Sequence, residues 1–278
     1  MTLIADSGST KTLWRTLNAG SMVVTEGLNP RFSTEEDFAK ACAEVRRGVP
    51  SLGESDALHF YGAGCGSAVQ RERVGEMLRK YLGISSVTVE TDLLGACRAV
   101  CGAKEGLVGI LGTGSNACYY DGNIVCYQTV SMGYILGDHG SANHVGRCLL
   151  RDYLSGQMPE DLRSMFHDSY AMTQEQIMDA VYGGRYPNRF LASLAPFALA
   201  HVEEPYCSGL LGACLDEWYR YQVQHVVARS GCRELSLVGG FAARLGGVLE
   251  CFAARHGLLL REVAASPMEG LCRFHEGL

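Results

Sequence analysis

Short apolar runs and amphipathic stretches alternate along this chain, and the alternation runs through two rounds. In the first, residues 2–5, 12–18 and 22–27 read as strands, with turns at Asn18-Ala19-Gly20 and Asn29-Pro30. Ser33-Thr34-Glu35-Glu36 opens a helix to about Arg47, with a hydroxyl N-cap and an acidic first turn. Ala57 to Gly62 is a strand that ends in the small-residue segment Ala63–Ser67. A helix with Val69, Val74, Met77, Leu78 and Leu82 on its apolar face follows. Residues 87–90 form another strand, and Asp92 starts a helix through about Val100.

The second round has strands at 107–111, 117–120 and 124–129, then a helix from near Ser141 to Leu154. Residues 155–205 read as a helical insertion with few chemical signals. A helix from about Leu210 to Arg229 precedes the strand 235–238. Gly239-Gly240 leads into a helix through Arg255, then a strand at 258–262 and a helix at 268–275. The order is β-β-β-α-β-α-β-α, twice. Strands alternating with helices imply an α/β protein with mostly parallel sheets covered on both faces. The boundary falls near Ala103-Lys104.

A small-residue loop heads each round. Asp6-Ser7-Gly8-Ser9-Thr10-Lys11-Thr12 follows one apolar run, and Gly112-Thr113-Gly114-Ser115-Asn116 follows another. Gly8 and Gly114 allow close approach to a phosphate or a positive φ. Ser9, Thr10, Thr113 and Ser115 add hydroxyl donors. Two such loops suit an anion held by backbone N–H groups. There is no Walker-type phosphate loop and no dinucleotide fingerprint.

Composition narrows this further. With 278 residues and a net charge of −6, general attraction to nucleic acid or anionic lipid is not expected. The N-terminus has no signal-peptide pattern, and no apolar run approaches a membrane span. The 12 cysteines are therefore expected reduced, in the cytoplasm. Without a C-x-x-C pair, a structural zinc or iron–sulfur site is disfavoured, and Cys97 and Cys101 read as small buried hydrophobes. His139 and His144 have no metal-ligand spacing.

Three carboxylates carry candidate chemistry. Asp6 ends the first strand and could hold Mg²⁺ through water, or cap its own turn. Asp92 could be a helix N-cap or a general base. Asp138, in Gly137-Asp138-His139-Gly140-Ser141, could accept hydrogen bonds from sugar hydroxyls. Gly239-Gly240 could lie against an adenosine at a helix start, or simply pack strand on helix.

Taken in order, these segments resemble the acetate and sugar kinase, heat-shock 70 and actin superfamily, and within it the N-acetylglucosamine kinase group related to the BadF/BcrA ATPases. The resemblance covers nearly the whole chain. It implies an actin-like (ribonuclease H-like) ATPase fold with an interdomain cleft. Residues 1–103 would form one domain and 104–266 the other, with a C-terminal helix at 267–278 returning to the first. It implies ATP and Mg²⁺ as cofactors, a homodimer, and transfer of phosphate to an amino sugar. Gly8, Ser9, Thr10, Lys11, Gly112, Thr113, Gly114, Gly239 and Gly240 would contact ATP. Asn29, Asp92, Thr113, Ser131, Met132, Gly133 and Asp138 would line the sugar, and Asp92 would be the base.

Two positions depart from the family pattern: His139 replaces the usual Glu and Ala142 a common Gly. A histidine cation at low pH would alter the hydrogen bonding of Asp138. The other readings of the resemblance are a nucleotide-dependent activator with iron–sulfur cysteines, and a sugar-binding descendant with weak turnover.

Overall fold

The structure is a computed structural model that describes residues 1–17, 20–54 and 56–277. The Asn18-Ala19 turn lies outside the described residues. The chain divides into two compact units. The first holds residues 1–104, 122–124 and 266–278, and the second 105–121 and 125–265.

The first unit is built on β1 (Thr2–Ser7), β2 (Lys11–Thr16), β3 (Met22–Glu26), α1 (Glu35–Gly48), β4 (Ala57–Gly62), α2 (Ala68–Leu82), β5 (Ser86–Thr91) and α3 (Asp92–Cys101). Its sheet runs β3-β2-β1-β4-β5. β1 is antiparallel to β2 and parallel to β4, which is parallel to β5. Thr34 caps α1 in a capping box with Asp37, as the hydroxyl and acidic pattern at its start predicts. Alternation along β1 splits the core. Leu3 and Ala5 pack with Trp14, Phe38, Phe60 and Leu78, while Ile4 packs with Tyr61 and with Leu271 and Met268 of α13 (Met268–Glu276). Both faces are buried, which is why β1 reads as an uninterrupted apolar run.

The second unit contains β6 (Gly106–Leu111), β7 (Ser115–Tyr120), β8 (Val125–Gln128), α4 (Gly133–Leu136) and α5 (Ala142–Ser155). The insertion follows as α6 (Glu160–Tyr170), α7 (Gln174–Met178), α8 (Pro187–Ala192) and α9 (Ala195–Ala200). Then come α10 (Pro205–Trp218), α11 (Gln224–Ser230), β9 (Glu234–Val238), α12 (Gly247–His256) and β10 (Leu259–Ala264). The sheet order β10-β9-β6-β7-β8 repeats that of the first unit.

Three expectations need correction. The sheets are mixed: β6 is antiparallel to β7 and β7 to β8, while β6-β9 and β9-β10 are parallel. Three strands precede the first helix in each round, and short connections force antiparallel pairing. The helix expected over 210–229 starts at Pro205 and is interrupted by a π-helical turn at Tyr219–Val223. Gly239-Gly240 does not open a long helix. A short 3₁₀ turn, Ala242–Arg244, intervenes, and α12 begins only at Gly247, after Gly246 at φ 50°.

Candidate active site

Parallel pairing of β1, β4 and β5 brings their carboxyl ends to one edge of the first unit, with Asp6 in register with Tyr61 and Tyr61 with Glu90. Asp92 follows β5 directly, so the two aspartates meet there. Thr91, not Asp92, caps α3, its hydroxyl accepting the Leu94 N–H at 3.1 Å. That removes the plain N-cap explanation for Asp92, which occupies the first helical position and accepts the Leu93 N–H at 2.9 Å. Burial pushes Asp92 up to about 6, against those backbone donors. Burial also pushes Asp6 up to about 7; the Asp92 charge adds to this and Lys11 opposes it.

The first loop divides into an inner and an outer part. Ser7 and Thr12 are buried and hydrogen-bond each other at 2.8 Å, and Ser7 Oγ accepts the Leu28 N–H at 3.0 Å. They tie the loop to the Asn29 segment. Gly8, Ser9, Thr10 and Lys11 form the turn itself, closed by Gly8 N–H to the Lys11 carbonyl at 3.0 Å. Asn29 is buried, and its side-chain oxygen accepts the Arg31 N–H at 3.0 Å. It lies against Gly64, which has φ 84° and no room for a side chain there.

In the second unit, Asp138 sits at φ 52°, a left-handed conformation costly for a non-glycine residue. It is held in place by the Ser115 N–H at 3.2 Å and by the Asn143 amide at 2.9 Å. Burial raises its pKa, opposed first by Asn143 and then by Ser115. The Asn143 amide also donates to the Thr113 carbonyl at 2.6 Å, joining the second loop to Asp138. None of Gly8, Gly112 and Gly114 has a positive φ, so that reason for glycine fails. What Gly114 provides is space: a Cβ there would lie 2.9 and 3.0 Å from the two Asp138 carboxylate oxygens. Gly239 does have a positive φ, 141°, and packs directly on the Leu111 backbone. Close backbone packing therefore accounts for it.

Ser131 and Met132 are exposed just before α4, which begins at Gly133. Met132 lines a pocket of about 340 Å³ together with Tyr127, Thr129, Tyr221 and Arg229. His139 stacks on Tyr221 with ring centroids 4.4 Å apart, and its buried Nδ1 has no hydrogen-bond partner. Burial above all lowers its pKa, and the neighbouring His144 adds to this, which disfavours the low-pH cation.

Sequence reasoning missed Asn143, Gln222 and Tyr221. Gln222 donates to Ser115 Oγ at 2.9 Å, and Ser115 Oγ donates to the His139 carbonyl at 2.7 Å. Gln222 and Tyr221 both lie on the π turn, a feature that often marks functional sites but has no sequence signature. Asn143, five residues after Asp138, was open to detection as a polar residue on the buried start of α5.

No family model and no curated protein matches the chain. Solved structures do. The putative N-acetylglucosamine kinase of Porphyromonas gingivalis is 35% identical, with a TM-score of 0.92 over 100% of this chain and 99% of that one. The putative N-acetylglucosamine kinase of Chromobacterium violaceum shares 18% identity over 98% of each chain, with a TM-score of 0.74. A ROK family glucokinase from Streptomyces griseus, solved with glucose and AMPPNP, shares 13% identity over 99% of this chain and 98% of that one, with a TM-score of 0.61. The last two likenesses speak for fold alone. At 35% identity over the full length, the chain belongs to the same family as the P. gingivalis protein, within the actin-like ATPase fold.

Proposed function

We propose that this protein is an ATP-dependent sugar kinase acting on an amino sugar, N-acetylglucosamine at its 6-hydroxyl, with Asp92 as general base. The observation that carries this reading is the Asp6–Asp92 pair at the carboxyl edge of the first sheet. A base with a pKa of about 6 is ionised at neutral pH, yet basic enough to take a hydroxyl proton as that oxygen attacks phosphorus. The full-length likeness to the P. gingivalis protein supports the same activity.

Lys11 opposes the repulsion between the two carboxylates at Asp6. Hard carboxylate oxygens of this kind suit Mg²⁺, and Asp6 would hold it through water. When bound, Mg²⁺ would neutralise charge on the transferring phosphoryl group. Ser9, Thr10 and Lys11 in the first loop, and Gly112, Thr113 and Gly114 in the second, would bind the phosphates. Gly239 and Gly240 would border the adenosine. Asn29 and Asp138, with Thr113, Ser131, Met132 and Gly133, would orient the sugar. The reading includes a cytoplasmic homodimer.

The test is ATP consumption over a panel of N-acetylglucosamine, glucosamine, N-acetylmannosamine and N-acetylmuramate, with wild type and Asp92→Asn. Turnover on N-acetylglucosamine and a loss of ~10²-fold or more in the variant are expected. No sugar-dependent ADP release from wild type would sink the kinase reading. Near-wild-type turnover by the variant would remove Asp92 as the base.

A further inference from the structure

One buried group of nucleophilic side chains has no part in phosphoryl transfer. His144 and Cys148 lie one helical turn apart on α5, and Cys214 and Glu217 lie on α10. One ligand atom each from His144, Cys148 and Cys214 falls within 4.8 Å of the other two. The two thiols are hydrogen-bonded to each other, and His144 is hydrogen-bonded to Cys148. All the cysteines are free thiols.

The protonation of His144 decides between a metal site and a redox site. Its Nδ1 accepts the Gly140 N–H at 3.0 Å, and a peptide N–H only donates. With Nδ1 taken by that N–H, the neutral imidazole carries its proton on Nε2, the nitrogen left to reach Cys148; Nε2 lies 3.5 Å from Glu217. A metal ion needs a lone pair at that nitrogen, and here it finds a proton. A thiolate, by contrast, is stabilised by that N–H. Arg151 adds positive charge beside Cys148, while Tyr206, which donates to Asp152 at 3.0 Å, faces it from α10. Glu217 disfavours and Arg147 favours ionisation of Cys214. The hydrogen bond from Cys214 is the largest influence lowering the Cys148 pKa, and the same bond with burial raises that of Cys214. The two thiols are thus unequal: Cys148 is held below the usual thiol range and Cys214 above it. Cys148 is partly exposed and Cys214 buried.

We propose that Cys148 and Cys214 form a redox-active dithiol that reduces a hydroperoxide and closes into an intramolecular disulfide between α5 and α10. The Cys148 thiolate attacks the distal peroxide oxygen, the O–O bond breaks, and the leaving oxyanion takes a proton as water or alcohol. The resulting sulfenic acid is attacked by Cys214 sulfur; the S–O bond breaks and the hydroxide leaves with the Cys214 proton as water. Two thiols lose two electrons and the peroxide gains them. The site stands whether or not the chain is a kinase.

The test treats the full-length reduced protein with stoichiometric hydrogen peroxide near pH 6.5, quenches with iodoacetamide and maps the peptides by mass. A Cys148–Cys214 cross-link is expected as the first product, ~10-fold faster than oxidation of the exposed Cys126 and Cys251. In Cys214→Ser, dimedone should trap a sulfenic acid on Cys148. Oxidation of Cys126 and Cys251 with Cys148 and Cys214 still reduced would overturn the proposal. So would retention of one Zn²⁺ per chain through gel filtration with both thiols shielded from alkylation, which would make this a metal site. The wild-type map stands even if a variant fails to fold.

Discussion

The side-chain amide of Asn143 donates to Asp138 Oδ2 at 2.9 Å and to the Thr113 carbonyl at 2.6 Å. One residue therefore fixes both a carboxylate on a left-handed backbone and the second small-residue loop. Asn143→Leu removes the amide donor to Asp138 Oδ2, worth ~1–3 kcal/mol, while the Thr113 carbonyl keeps the backbone N–H of residue 143 at 3.2 Å. A lowered Tm is expected, with a sugar KM raised by ~10-fold or more and a smaller change in kcat. An unchanged KM would show that Asp138 keeps its position without the amide.

Gly114→Ala probes the same relationship from the other side. The added Cβ would come within 2.9 Å of Asp138 Oδ1, so the carboxylate must shift or the loop must open. Folded protein with sharply reduced sugar-dependent turnover is expected, read by circular dichroism and the coupled assay. Wild-type kinetics would mean that this close approach has no bearing on activity.

Asp92→Asn has a predicted sign in stability as well as in rate. The folded-state pKa of Asp92 is raised to about 6 from 3.8, so its ionised form costs stability. The cost is absent below pH 3.8, grows as pH rises, and is complete above about 6. The variant should therefore have a higher Tm than wild type at pH 8, and the gain should shrink toward pH 4. A variant less stable than wild type at pH 8 would show that hydrogen bonds to the carboxylate outweigh its burial.

The pH profile of kcat/KM should have an acidic limb with apparent pKa values in the range of about 6 to 7, from Asp92 and Asp6. The two carboxylates interact, so the apparent values belong to the pair. Binding of Mg²⁺ to Asp6 requires loss of its proton, so the Tm gain from Mg·ADP should be larger at pH 8 than at pH 5.5. Equal gains at both pH values would remove Asp6 as the metal residue.

Much of this was open to reading along the chain. Strand and helix order follows from local apolar periodicity. The caps at Thr34 and Ser67 follow from hydroxyls that satisfy free N–H groups one turn on. The two loops, Asp6, Asp92 and Asp138 could be picked out because small residues and carboxylates at strand ends are local patterns.

Other features depended on contacts between distant segments. The role of Gly114 is set by a carboxylate 24 residues away, and that of Gly239 by the Leu111 backbone. Gln222 reaches Ser115 across 107 positions, through a π turn that periodicity reads as ordinary helix. The Cys148–Cys214 pair is invisible to spacing rules because α5 and α10 meet only through tertiary packing. The raised pKa values of Asp6 and Asp92 likewise come from the burial and proximity that sheet assembly creates. The sequence by itself determined the order of the strands and most helices and several of their caps, since these are governed by neighbours along the chain. Tertiary structure decided which of those residues meet, and so their charge states, because burial and through-space contact set both.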